Sequence, residues 1–263
     1  MSIKIDENTF QDNNLSKAWA KAFLYRLNHN KSKPFTPLIA QITDIEDGKI
    51  KTDDRIHDLV NDHLEEGQKI ETVANTIFPV SLWNKNRSRQ LLFDRFNKCW
   101  PVVNKCKVKN KQRNAKGIYF RRFIAYGEDQ QNGNQIEKIL NYWDKNGRRR
   151  SAFQLTVFDP KTDHIETPYL PFPCLHQVSI NPLGQHGNDG LSIIGYYANQ
   201  YIFKKAYGNY LGLCRLGKFM AHEMGLELKE VTCIAARGNY DADSLTGSVL
   251  DSFKSELKDY LNG

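Results

Sequence analysis

The sequence predicts an α/β fold, and three observations lead to this prediction. At 263 residues, the chain has the length of one large domain more readily than of two. Its hydrophobic content of 40% and charged content of 25% are ordinary for a globular protein with a substantial core. In its second half, strand-like segments alternate with one long helix, and no internal repeat or low-complexity linker divides the chain.

The first half is mainly helical by pattern. Leu15, Trp19, Phe23 and Leu27 recur at helical spacing and predict an amphipathic helix. A strand is predicted over residues 38–42, followed by a turn at Asp47-Gly48. A second strand is predicted over residues 118–125, which are rich in aromatic and β-branched side chains. The helices predicted in this half cover residues 14–27, 54–64, 71–77, 88–100 and 136–143.

The second half carries most of the predicted strands, at residues 152–158, 175–180, 191–197 and 230–235. A long helix is predicted over residues 210–224 and a final one over residues 244–261. Gly208, Gly212 and Gly217 fall in or beside the long helix. Each glycine costs a helix about 1 kcal/mol relative to alanine. We therefore expect this helix to pack closely against a sheet or another chain.

The composition limits the classes of function. Five cysteines are scattered without a CxxC pair, so neither a zinc site nor a disulfide framework is indicated. Since no apolar run reaches membrane-spanning length and the first residues lack a signal-peptide plan, we expect a cytoplasmic protein without a membrane partner. The net charge is +7, and a basic run over residues 105–122 contains no acid. Such a run is typical of a nucleic-acid contact or of a solvated loop.

A cysteine near the start of a predicted strand is the main chemical signal. Cys174 follows Pro173 and lies near His176, downstream of Arg148, Arg149 and Arg150. Cationic neighbours lower a thiol pKa and favour the nucleophilic thiolate. The alternatives are a buried structural cysteine and, for the arginines, a solvated turn after Asn146-Gly147.

Further motifs follow Cys174 in an ordered series. They are Leu191-Ser192, residues 196–201, Asn209 with its helix, and residues 231–234 leading to residues 237–241. Together with the arginines and Pro173-Cys174, this order resembles the thymidylate synthases and the related pyrimidine-nucleotide hydroxymethylases. The resemblance is best over residues 148–241, and residues 1–147 match only weakly. It implies a single thymidylate synthase-like domain over residues 1–263, with a mixed, curved sheet covered by helices and a homodimer formed through the sheet face.

The resemblance also implies a role for each motif. Cys174 would attack C6 of a pyrimidine nucleotide, so that C5 accepts a methyl or hydroxymethyl group. His176 stands one place later than the histidine that usually follows the family's cysteine. Asn209 matches the asparagine that reads the base, and asparagine rather than aspartate favours uracil over cytosine.

Phosphate contacts and further catalytic candidates are implied in the same way. Two of Arg148, Arg149 and Arg150, with Arg149 and Arg150 preferred, would reach the phosphate bound by the partner subunit. Asn199 falls on the family's phosphate-binding serine. Asn239 and Asp241 fall on the histidine and tyrosine of the late motif and are the remaining candidates for catalysis. Asp241 could instead cap the final helix.

Several departures weaken the folate side of the resemblance, which implies methylenetetrahydrofolate as the one-carbon donor. The family's phosphate arginine falls on Ala198, and its pterin-binding aspartate falls on Tyr201. Residues 77–83 lack the family's glutamate, and residues 242–263 do not match the segment that closes over folate. The sequence therefore leaves three alternatives: a pyrimidine-nucleotide enzyme, a nucleotide-binding sensor without turnover, and a nucleic-acid-binding protein that uses residues 105–122.

Overall fold

The structure, a computed structural model, describes residues 5–29, 35–109, 117–129, 131–164 and 173–263. Strands in this part of the chain are β1 (Thr9–Asp12), β2 (Leu38–Ile42), β3 (Gln154–Thr156), β4 (Leu175–Pro182), β5 (Leu191–Tyr197), β6 (Gln200–Tyr201), β7 (Leu228–Ala235) and β8 (Gly238–Asn239). Helices are α1 (Leu15–Asn28), α2 (Asp54–Asp62), α3 (Ile70–Ile77), α4 (Arg89–Lys109), α5 (Tyr119–Ile124), α6 (Gln135–Asp144), α7 (Pro160–Asp163), α8 (Tyr207–Glu223) and α9 (Gly247–Asn262).

Six strands form one mixed sheet in the order β1-β2-β7-β5-β4-β3. The pairs β1–β2 and β5–β7 are parallel, and the other neighbours are antiparallel. The parallel pair β5–β7 is joined by α8, as a parallel pair requires a crossover connection. β6 and β8 form a separate two-stranded ladder. The α/β class with a mixed sheet and helices is thus confirmed, and the sheet is open and does not curl back on itself.

One face of the sheet is buried. Along β2, the alternate residues Leu38, Ala40 and Ile42 are buried, and β7 follows the same period of two. Helix α8 packs against this side, since a Cβ on Gly195 of β5 would meet the Leu213 side chain of α8 at 2.7 Å. Burial of this one face against helices supplies the main apolar core of the described chain.

The opposite face remains exposed or half-buried in the described part of the chain. It carries a mixture of polar and apolar side chains, and Tyr196 is 42% exposed. A sheet with one solvated face is usual when antiparallel pairing dominates. The side chains on this open face, as we name it, are Ile39, Gln41, Gln177, Ser179, Ile194, Tyr196, Thr232 and Ile234.

The expectation of close packing around the long helix is confirmed. A Cβ on Gly208 would lie 2.6 Å from the Val73 side chain, and one on Gly212 would lie 2.9 Å from the Ala74 carbonyl oxygen, so α8 meets α3 almost backbone to backbone. The third glycine, Gly217, faces the sheet. Small residues are required where two main chains approach this closely.

Two predicted strands differ from the structure. Residues Tyr119–Ile124 form α5, a short helix in which every residue from Phe120 to Ile124 is buried. The strand predicted over residues 152–158 is confined to β3, since a 3-10 turn occupies Arg150–Ala152. β1, β6 and β8 were not predicted from the sequence.

Candidate active site at one edge of the sheet

Five of the residues singled out by sequence lie at one edge of the sheet, the edge formed by the carboxyl ends of β5 and β7: Cys174, Asn199, Asn209, Asn239 and Asp241. β5 and β7 run parallel and end together at this edge, and antiparallel β4 begins there, as the pairings of Tyr197 with Leu175 and with Ala235 require. Cys174 therefore lies beside the segments that follow β5 and β7. In open α/β sheets, ligands bind outside the carboxyl ends of parallel strands.

The Cys174 thiol is half-buried just before β4. Its backbone is held on two sides. The Cys174 carbonyl accepts a hydrogen bond from the Ala198 N–H at 2.9 Å, and the Tyr119 hydroxyl oxygen accepts the Leu175 N–H at 3.5 Å. Burial raises the pKa of the Cys174 thiol, and the ammonium of Lys205 partly offsets this effect. The cysteine is therefore fixed in position, and Lys205 is the cation that favours its thiolate.

Lys205 and Asn209 lie near the start of α8. Lys205 belongs to a π-helical turn, Ile202–Ala206, that leads directly into α8. Asn209 follows four residues later, so the two side chains leave the helix on about the same side. Asn209 is only 4% exposed, and its amide makes no hydrogen bond with any described residue. A buried amide with unused donors and acceptors is a candidate ligand for the polar edge of a heterocycle.

Asp241 holds the start of this π-helical turn. Its two carboxylate oxygens accept the N–H groups of Phe203 at 2.8 Å and Lys204 at 2.9 Å. Burial raises the pKa of Asp241 from its ordinary 3.8 to about 6, against the lowering effect of these two hydrogen bonds. The capping of the final helix that the sequence allowed is wrong, because α9 begins at Gly247 after Thr246.

Asn199 and Asn239 contact each other at the same edge. The Asn239 side-chain N–H donates to the Asn199 side-chain oxygen, and Arg237 Nε donates to Asn239 Oδ1 at 3.0 Å. The backbone brings them together because β6 pairs with β8 in parallel, with Tyr201 opposite Asn239. Two predicted site residues therefore form one polar line with Arg237, which sequence reasoning missed.

His176 is not among the groups that act electrostatically on the Cys174 thiol. The register of β4 on β5 shifts between Leu175 and Gln177, so His176 is an extra residue in a β-bulge. Its ring stacks on Phe158 at 4.7 Å and lies 6.2 Å from Tyr196 of the open face. Burial lowers the pKa of His176, which favours the neutral imidazole. The electrostatic partners of Cys174 are instead Lys205, Tyr119 and Tyr197.

The three arginines before β3 have different surroundings. Arg148 lies over the Trp143 ring at 3.9 Å. Arg150 donates to the Gly184 carbonyl at 2.6 Å and to the Pro182 carbonyl, so the β4–β5 hairpin occupies its guanidinium. The guanidinium of Arg149 donates only through Nε, to Ser151 at 2.9 Å, among the described residues. Arg149 is thus the one with terminal nitrogens available to a ligand.

A buried polar cluster lies behind Cys174 and was not predicted. Tyr210 donates to Gln200 Oε1 at 3.3 Å, and Gln200 donates to Cys233 Sγ at 3.3 Å. The Tyr197 hydroxyl is buried among these groups without a hydrogen-bond partner in the described chain, and burial raises the pKa of Tyr197 well above its ordinary value. The five closely spaced tyrosines over residues 196–210 were the available sequence signal.

The basic run of residues 105–122 is described only at its ends. Arg121 donates to Glu128 at 2.9 Å, and the buried Arg122 donates to Asp163 at 3.0 Å. These two arginines form ion pairs within the chain. Residues 110–116, and the side chains of residues 106–109, lie outside the described part of the chain.

No protein-family model and no curated protein matches the chain. Within the described residues, no helix is long and apolar enough to cross a membrane. The described His, Cys, Asp and Glu side chains include no group of three placed to share a metal ion.

Proposed function

We propose that this chain is a thymidylate synthase-like protein in which Cys174 adds covalently to C6 of a pyrimidine nucleotide. The observation that carries the proposal is the grouping of three features near one edge of the sheet: a backbone-fixed thiol, the Lys205 cation, and the Asn209 amide, which has no hydrogen-bond partner among the described residues. An amide offers both a donor and an acceptor, which suits the uracil edge. The substrate class is therefore a uracil nucleotide.

The chemistry needs few groups. The Cys174 thiolate forms a bond to C6, and the electrons of the C5–C6 double bond move toward C5 and the adjacent carbonyl oxygen. C5 then takes a proton from solvent. Reversal removes a C5 proton and expels the thiolate, so the net result is exchange of the C5 hydrogen. Lys205 stabilises the thiolate in its free form, and Asn209 holds the ring in line for attack.

The residues present do not fit the folate donor that the resemblance implies. Tyr201 occupies the position of the pterin-binding aspartate and is 44% exposed beside Asn239. In residues 77–83, Phe78 is buried against Phe120, and Trp83 packs on Phe219. No carboxylate is supplied from this segment. Methyl or hydroxymethyl transfer therefore stays a prediction, and no step through folate is derived.

We also propose that the open face joins two copies of the chain. Ile39, Ile194 and Ile234 bring apolar area to the middle of this face, and a second copy would cover it. Light scattering tests this directly. We expect a dimer for the wild type and a monomer for Ile194→Arg, while Val102→Arg, at a position that is 65% exposed on α4, stays dimeric. A monomeric wild type would contradict the dimer.

The covalent step is tested by intact-protein mass spectrometry with 5-fluoro-dUMP, with and without methylenetetrahydrofolate. We expect an added mass of one nucleotide on the wild type and on Cys99→Ser, whose cysteine is exposed. Cys174→Ser should show none. An adduct that forms only with the folate would restore the full synthase reaction. No adduct in either condition would contradict attack on C6.

A second candidate is a nucleotide sensor without turnover. The raised pKa of the Cys174 thiol favours it, since a protonated thiol is a poor nucleophile. The family's phosphate arginine is also replaced by Ala198. Nucleotide binding that survives Cys174→Ala, together with an absence of any adduct on the wild type, would favour the sensor over the enzyme.

A further inference from the structure

Three side chains form a continuous polar line beside the proposed active site. Arg237 Nε donates to Asn239 Oδ1 at 3.0 Å, and Asn239 donates through its side-chain nitrogen to Asn199 Oδ1. Both amide oxygens are therefore used within the line. The orientation of each amide is set by the guanidinium at one end, because arginine can only donate.

The polar line offers a ligand hydrogen-bond donors. Among the described residues, the two terminal nitrogens of Arg237 and the side-chain nitrogen of Asn199 have no hydrogen-bond partner. The two acids that follow in the chain are engaged elsewhere. Asp241 accepts backbone N–H groups, and Asp243 lies 3.8 Å from Lys204. Arg237 forms no ion pair with any described residue, so this positively charged set of donors suits an anion.

The line lies close to Cys174 along the sheet edge. The Ala198 N–H donates to the Cys174 carbonyl at 2.9 Å, and the Ala236 N–H donates to the Tyr197 carbonyl at 2.8 Å. Two strand spacings, roughly 10 Å, thus separate the backbone of Cys174 from that of Arg237. Asn199, at the other end of the line, directly follows Ala198, so one nucleotide can contact both Cys174 and the line.

We infer that Arg237, Asn239 and Asn199 form an anion-binding site that takes the phosphate of the nucleotide. The inference rests on the proposed function for the identity of the ligand. Ala198 stands at the position of the family's phosphate arginine and has no guanidinium. Arg237, which follows the neighbouring strand β7, supplies one instead. A planar guanidinium fits a phosphate dianion through paired hydrogen bonds.

Calorimetry with dUMP and deoxyuridine tests the inference, since the two ligands differ only in the phosphate. We expect Arg237→Met to weaken dUMP binding about 10- to 100-fold, the loss typical of a charge-assisted hydrogen bond, and to leave deoxyuridine binding unchanged. Arg237→Lys should lose less, because it keeps the charge without the fork. Arg87→Met, at another exposed arginine, serves as the matched control and should bind both ligands as the wild type does.

A second measurement separates this inference from the proposed function. Inorganic phosphate is titrated while the Nε–H signal of Arg237 is followed by NMR. If dUMP does not bind but phosphate shifts that signal, the anion site stands and the nucleotide function fails. If dUMP binds equally well to the wild type and to Arg237→Met, the anion site is overturned and the nucleotide function stands. If neither ligand binds, both are overturned.

Discussion

Asp241 provides a quantitative test of the structure. Its carboxylate is 4% exposed and holds the π-helical turn before α8. Burial raises the pKa of Asp241 from 3.8 to about 6 in the folded state. The folded protein therefore binds this proton more tightly than the unfolded chain does. The resulting stability is fully present below pH 3.8 and is lost as the pH rises through about 6.

The size of the effect follows from the difference between the two pKa values. About two pKa units at about 1.36 kcal/mol each give about 3 kcal/mol in the free energy of unfolding. Asp241→Asn keeps an oxygen acceptor and removes the titration. We expect the free energy of unfolding of the wild type, minus that of Asp241→Asn, to fall by about 2 kcal/mol between pH 4 and pH 7, because part of the effect is already lost at pH 4.

Urea unfolding across this pH range measures the difference, and other titrating groups cancel between the two proteins. Asp243→Asn is the matched control, because its side chain is 82% exposed and its ion pair with Lys204 is a surface pair. The difference in the free energy of unfolding between the wild type and Asp243→Asn should change by less than about 1 kcal/mol over the same pH range. A flat difference for Asp241→Asn would refute the reasoning. A difference in the free energy of unfolding that rises with pH would also refute it, since the two backbone N–H groups would then lower the pKa of Asp241 by more than burial raises it.

Three further predictions concern packing, an unpaired hydroxyl and the thiol. Gly212→Ala should destabilise the fold by about 1–3 kcal/mol in urea unfolding, because its Cβ would lie 2.9 Å from a carbonyl oxygen of α3. Gly67→Ala is the control: it has open space around it and should change the free energy of unfolding little. Tyr197→Phe should leave stability unchanged or raise it by up to about 3 kcal/mol in the same assay, since it removes a buried hydroxyl that has no hydrogen-bond partner among the described residues. A clear loss of stability would show that the hydroxyl is paired. Lys205→Met should move the alkylation of Cys174 to higher pH, as followed by iodoacetamide labelling and mass spectrometry, and an unchanged pH profile would remove Lys205 from the site.

The elements with strong periodicity could be predicted from the sequence. β2 and β5 have the predicted bounds, and α1 differs by one residue at each end, because their apolar residues repeat at one clear spacing. The strand predicted over residues 118–125 is wrong: their composition favours a strand, and burial of every residue from Phe120 to Ile124 leaves no exposed face to mark the helix. The ladder of β6 and β8 pairs only two residues from each strand, too few to show a period.

The site was predictable in its parts and not in its arrangement. The sequence motifs located Cys174 and Asn209 at the start of β4 and α8. The bulge that turns His176 toward Phe158 depends on the register between two strands, which no local pattern shows. The contributions of Lys205 and Arg237 likewise depend on which segments the sheet edge brings together.

The central claim is that Cys174 adds reversibly to the pyrimidine ring, and exchange of the C5 hydrogen of dUMP in deuterated water tests it most directly. Proton NMR follows the loss of the C5 signal without any folate present. The account predicts exchange by the wild type and by Cys99→Ser, and none by Cys174→Ser. Absence of exchange with the wild type, or exchange that persists in Cys174→Ser, would contradict the account.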